Sequence, residues 1–190
     1  MSPFDRLTAT HGALLIVDVQ EKLMPLIEER NLVIANGVRL VKAAKLLQIP
    51  VFATEQYPKG LGPTVPELAE LIPHRPDKTV FQCCAVPEFV EQLHGRGIEH
   101  VTLAGIETHV CIAQTALELM SLGFRVQVPA DAVSSRSKLD WDFALRRLAV
   151  AGAVVSTTEA VLFEWVERSD HPQFKAISTL VKEFTPPSRG

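Results

Sequence analysis

Cysteine is scarce in this 190-residue chain: there are three, Cys83, Cys84 and Cys111, and two of them are adjacent. An odd number with neighbours in sequence is not a disulfide framework, so the fold must rest on a packed core rather than on cross-links. The same scarcity predicts a reducing, cytoplasmic setting. Basic charge is not in excess either. Nineteen Lys and Arg stand against 22 Asp and Glu, a net charge of -3, which offers no positive field for a nucleic-acid backbone. No apolar run approaches the ~18 residues needed to cross a bilayer, and MSPFDRLTATHG at the start lacks the basic and apolar regions of a secretory signal. No Gly-x-Gly-x-x-Gly or Walker-type loop follows the first apolar run, which argues against a nucleotide-binding module. The expected partners therefore include neither nucleic acid nor membrane.

What is present is an ordinary globular balance, 47% hydrophobic and 22% charged, in a chain long enough for one sizeable core. Residues 1–190 read as a single domain. Short apolar, β-branched runs alternate with longer stretches of helical period, the pattern of a parallel sheet covered on both faces. Strands are expected at ALLIVDV (13–19), PVFATE (50–55), near 78–81, HVTLAGI (100–106), FRVQVPA (124–130) and AVVST. Helices are expected at 31–48, 65–71, 87–95, 109–122, 138–151, 157–167 and 172–184, with Gly97 and Gly123 closing two of them. Pro186, Pro187 and the last three residues read as a frayed end. The fold class is a three-layer α-β-α sandwich around a six-stranded parallel sheet of order 3-2-1-4-5-6.

In that order the winding reverses between strands 1 and 4, and ligands of open α/β sheets bind outside the carboxyl ends of the strands at such a switch point. Strand 1 ends in Asp18-Val19-Gln20, and strand 4 runs into Gly105-Ile106-Glu107-Thr108-His109-Val110-Cys111. An acid and a thiol thus converge on the predicted crevice. Cys111 falls at the start of a helix, where free N–H groups and the dipole favour thiolate and could hold an oxyanion. Asp18 is placed to take the thiol proton.

Four segments, LLIVDVQ, PVFATEQYP, DKTVF and VTLAGIETHVCIAQTALE, occur in the order seen in the isochorismatase-like cysteine hydrolases, and the chain resembles that superfamily over roughly residues 12–160. The resemblance implies a catalytic Asp18-Lys78-Cys111 triad. It also implies a cis Ile106–Glu107 peptide that aims the N–H groups of Glu107 and Cys111 at an oxyanion. By residues alone, Lys78 in Arg-Pro-Asp-Lys would be a surface lysine.

Nicotinamidases of the superfamily bind a metal through an Asp-x-His and a further His. This chain has Thr54-Glu55-Gln56-Tyr57-Pro58 at that point, so no metal and no other cofactor is expected, and the sequence looks closest to a metal-free branch. Gln20, Gln56, Tyr57 and Phe81 are the expected substrate contacts, and Cys83 and Cys84 the expected packing residues. The activity implied is hydrolysis of a small molecule, an amide or ureido C–N bond first. Vinyl-ether hydrolysis and a non-catalytic oligomeric scaffold are the alternatives. The resemblance further implies a homo-oligomer, dimer or higher, with the Trp141–Arg147 helix and the C-terminal helix as candidate interfaces.

Overall fold

The first strand, β1 (Gly12–Val17), is buried along its whole length, and its side chains alternate between two cores. Leu14 and Ile16 enter one apolar cluster, whereas Ala13, Leu15 and Val17 enter the other. A strand covered on both faces has no polar side to show, which is why the sequence reads there as a continuous apolar run. In the computed structural model, which describes residues 6–182 and 184, β1 lies at the centre of the sheet between β2 (Val51–Gln56) and β4 (His100–Ile106).

The sheet order is β3-β2-β1-β4-β5-β7, with β3 at Asp77–Lys78, β5 at Arg125–Pro129 and β7 at Val154–Ser156. All these pairings are parallel. The expected order therefore holds with β7 as the sixth strand. A seventh, β6 (Val133–Ser134), was not anticipated; it pairs with the end of β4, Gly105 opposite Val133 and Ile106 opposite Ser134. Two residues carry no detectable period, so sequence alone cannot show such a strand. The third strand is likewise shorter than expected, ending at Lys78.

Helices cover both faces. On one side α1 (Arg30–Leu46) packs with α7 (Thr158–Val166) and α8 (Phe174–Lys182) over the cluster of Leu14, Ile16, Leu40 and Trp165. On the other, α4 (Phe89–Gly95), α5 (Ala113–Ser121) and α6 (Lys138–Ala151) cover Leu15, Val17, Leu103 and Leu119. Short helices α2 (Pro58–Leu61) and α3 (Pro66–Ala69) shape the proline-rich loop after β2. The predicted frayed C-terminal residues lie outside those described. Among the described residues no helix is long and apolar enough to cross a membrane.

Candidate functional site

Both central strands stop abruptly at the same end of the sheet. β1 gives way to Asp18, whose φ of 52° turns the chain out of the strand in the left-handed region that Asp tolerates better than most residues. Beside it, Gly105 has φ 117°, and a Cβ there would sit 2.1 Å from the Val17 carbonyl oxygen. Only glycine lets β4 approach β1 so closely at this point. The next peptide, Ile106–Glu107, is cis. A π-helical turn, Thr108–Ile112, follows and runs directly into α5. Cys111 thus occupies the first turn of a continuous helical segment. The sequence reads as a plain helix from 109, and the π-turn is invisible in it.

Asp18, Lys78 and Cys111 are 1%, 5% and 7% exposed. The Lys78 ammonium donates to Asp18 Oδ2 at 2.7 Å, to Gln56 Oε1 at 2.7 Å and to the Phe81 carbonyl at 3.0 Å, with the Val80 carbonyl further off at 3.4 Å. Its three protons are therefore fully engaged. The other carboxylate oxygen of Asp18 accepts from Thr54 Oγ1 at 2.8 Å. Lys78 is brought inside because β3 pairs with the end of β2, Gln56 opposite Lys78, at the edge of the crevice. That placement overturns the surface position suggested by its sequence neighbours.

The thiol of Cys111 is pushed well above the ordinary cysteine range. Burial is the main cause, then the Asp18 charge, with Lys78 acting in the opposite direction. The direction of this shift runs against the expectation that the helix start would favour thiolate. Cys83, fully buried, is pushed up to about 11, by burial first and Asp18 second. Its Sγ is 3.5 Å from Thr54 Oγ1. Since the Thr54 proton goes to Asp18, Cys83 is left as the donor in that contact. The backbone N–H of Cys83 donates to Thr115 Oγ1 on α5 at 2.9 Å, one helical turn beyond Cys111. Cys83 thereby ties the loop after Lys78 to the helical segment that carries Cys111.

Residues 12–160 match the isochorismatase domain family. The chain belongs to the isochorismatase-like hydrolases. It is similar to isochorismatase domain-containing protein 2 of Danio rerio, at 45% identity over 190 residues, covering 98% of this chain and 94% of that one. The structure of the MAR1 ribonuclease from Caenorhabditis elegans is similar at TM-score 0.90 and 42% identity, covering 98% and 96% of the two chains. YcaC from Pseudomonas aeruginosa, solved with covalent acrylamide, gives 0.85 at 28% identity over 93% and 92%. The Escherichia coli YcaC, an octameric hydrolase of unknown specificity, gives 0.81 at 27% over 97% and 100%.

Against this family background, two of the four expected substrate contacts have another task. Gln20 is fully buried, and its amide donates to the carbonyls of Gln56 (3.0 Å) and Gly62 (2.7 Å) while its oxygen accepts from the Gln56 N–H (2.7 Å). Both of its protons are spent on the backbone, so it clamps the ends of β1 and β2 together. Gln56 donates to the Thr79 carbonyl at 2.9 Å and accepts from Lys78, so it holds the ammonium. Tyr57 and Phe81, by contrast, are 55% and 50% exposed, free to meet a ligand at the rim. Glu107 turns its carboxylate to Arg136, accepting from Nε at 2.9 Å and from the backbone N–H at 3.2 Å.

Thr54 and Gln56, two residues apart on β2, both face the Asp18–Lys78 pair. Glu55, between them, accepts from the Thr64 N–H and hydroxyl and from Arg75. Burial alone would raise its pKa; the donors outweigh that and hold it below the usual carboxylate range. Among the described residues no group of three His, Cys, Asp or Glu is arranged to hold a metal ion. His74 lines a cavity of about 680 Å³ that Thr54 and Asp77 also line, and His109 Nδ1 lies 3.0 Å from Ser135 Oγ. Thr54 and Thr115 escaped the sequence reading, whereas Cys83 packs in the core as expected. The one signal that could have found Thr54 is a polar residue in the buried half of a strand beside the switch point.

Proposed function

We propose that this chain is a cysteine hydrolase of a small molecule, cleaving an amide or ureido C–N bond through a covalent Cys111 intermediate. The observation that supports it most is the buried Lys78–Asp18 ion pair at 2.7 Å, with the buried Cys111 thiol under the influence of the same carboxylate, at the reversal of strand order. In this reading Sγ attacks the carbonyl carbon as its proton passes to Asp18. The developing oxyanion takes hydrogen bonds from the backbone N–H groups of Glu107 and Cys111. Collapse breaks the C–N bond, Asp18 returns the proton to the leaving nitrogen, and a thioester remains. Water, deprotonated by Asp18, then attacks the thioester; the acid leaves and the thiol is reformed. Lys78 holds Asp18 in place throughout as the carboxyl gains and loses its proton, and Tyr57 and Phe81 form the rim that selects the substrate.

The covalent acrylamide adduct in the Pseudomonas relative supports a nucleophile in this fold, and the octamer of the Escherichia coli relative supports a homo-oligomer here. A second reading comes from the Caenorhabditis protein named as a ribonuclease, which brings RNA phosphodiester cleavage. The test screens wild type and Cys111→Ala against amides, ureido compounds, vinyl ethers and end-labelled RNA. Ammonia or amine release from an amide or ureido compound by wild type alone supports the proposal. Equal turnover by both proteins sinks it, and Cys111-dependent cleavage confined to vinyl ethers or to RNA replaces the substrate class.

A further inference from the structure

Helix α6 carries an apolar line on its outer face. Leu139, Phe143 and Val150 are 65%, 62% and 91% exposed, and the helical period sets them in one row with Arg146. Ala144, Leu145 and Leu148, on the opposite side, are buried and fasten the helix to the sheet. A row of this kind on an outer helix, with Arg146 set between Phe143 and Val150, marks an interaction surface better than scattered apolar residues would. The charges beside it are ordered. Asp142 and Arg146 lie along one flank, joined by a two-point ion pair at 2.8 and 3.1 Å, and Asp140 and Arg147 lie along the other. The Arg146 guanidinium stands 5.9 Å from the centre of the Phe143 ring, which prearranges it over the apolar row.

We infer that this face is a twofold contact with a second copy of the chain, formed by α6 packed antiparallel on α6. A twofold axis across two antiparallel helices preserves each flank and reverses its direction. On one flank Asp142 then meets Arg146 of the other copy, and on the other flank Asp140 meets Arg147. Leu139 of each copy comes beside Val150 of the other, with the two Phe143 rings at the centre. A parallel pairing sets acid against acid and base against base, so the order of charges selects the antiparallel arrangement. The inference names a face for the association proposed above and is independent of the catalytic reading.

The test is the mass of the full chain at tens of micromolar, by size exclusion with light scattering. Wild type is expected at an even multiple of the chain mass. Phe143→Asp/Val150→Asp, the all-acidic Arg146→Asp/Arg147→Asp and the all-basic Asp140→Lys/Asp142→Lys should each fall to half of that or less. Mixing the all-acidic and all-basic proteins should restore the wild-type mass. Asp140 stands 4.0 Å from His109 on the turn that carries Cys111 and the other positions lie outside the candidate site, so unchanged circular dichroism, with an unchanged Cys111 labelling rate where Asp140 is kept, identifies variants that are folded. A monomeric wild type, folded variants that keep the wild-type mass, or an acidic–basic mixture that stays dissociated overturns the inference.

Discussion

Replacing Lys78 by Met keeps a side chain of similar length and removes the ammonium. Asp18 Oδ2, Gln56 Oε1 and the Phe81 carbonyl lose their shared donor at once, and at 1% exposure Asp18 cannot recruit water in its place. Breaking one side of a buried ion pair costs about 3–5 kcal/mol, because the surviving charge is left uncompensated. For a chain of this size that is on the order of 10 °C in Tm, at roughly 2–4 °C per kcal/mol. Asp18→Asn leaves the ammonium against a neutral amide and belongs in the same range. The double variant buries no net charge and should recover at least half of the loss, since neutral replacement of a buried pair is often tolerated. Urea unfolding reads the stabilities. Acrylamide labelling of Cys111 reads the electrostatics: Lys78 opposes the rise in the thiol pKa, so Lys78→Met should slow labelling. Asp18→Asn removes the group that takes the thiol proton and should abolish turnover. A cost below about 1 kcal/mol for Lys78→Met, against the range for buried pairs, would refute the reasoning. So would a labelling rate that Lys78→Met leaves unchanged or raises.

The raised thiol pKa also fixes a pH dependence. The labelling rate of Cys111 should climb about tenfold per pH unit through neutrality and past the ordinary thiol value of 9.0, and a plateau below pH 7 would contradict it. At the strand ends, Gly105→Ala forces a Cβ onto the Val17 carbonyl at positive φ and should cost about 3 kcal/mol or more. Gly123→Ala, at φ 90° with nothing within 4 Å, is the control and should cost only about 1 kcal/mol; equal losses in thermal melts would count against the close-approach argument. For Glu55, whose folded pKa is depressed, the stabilisation is present above the unfolded carboxylate value of 4.5 and is lost as pH falls through the lower folded value. Glu55→Gln should therefore flatten the acid side of the stability–pH curve, and an unaltered curve would deny the residue that role.

The central strands and the order of the sheet were legible because double burial writes itself as uninterrupted apolar runs and because right-handed crossovers leave few topologies. The meeting of Asp18 and Cys111 followed from the same rule. Lys78 was not legible from its neighbours: Arg-Pro-Asp-Lys has the composition of a surface turn, and only the pairing of a two-residue strand with the end of β2 carries it inside. The ionisation of Cys111 was misjudged for a related reason. A helix start stabilises thiolate by a fixed, modest amount, whereas burial and the adjacent Asp18 carboxylate act against it, and these depend on packing that sequence order does not contain. Gln20 and Gln56 look like substrate contacts in any list of polar residues near a crevice. Which hydrogen bonds an amide makes is decided by the backbone carbonyls that happen to face it.

These internal bonds divide the site into a fixed part and an open part. Thr54 and Gln56 share one face of β2 and serve the Asp18–Lys78 pair, while Glu55 on the other face anchors Thr64 and Arg75 of the proline-rich loop. Gln20 locks the end of β1 to that strand from the side. Every charged atom the proposed chemistry needs is thus held by a strand end or by a side chain with its own partners, which is how a site holds its geometry before a substrate arrives. The side chains without such anchors, Tyr57, Val80 and Phe81, stand exposed at the loop rim. In the proposed reading chemistry and selectivity are then carried by different elements: the strand ends fix what Cys111 can do, and the rim loops fix to what.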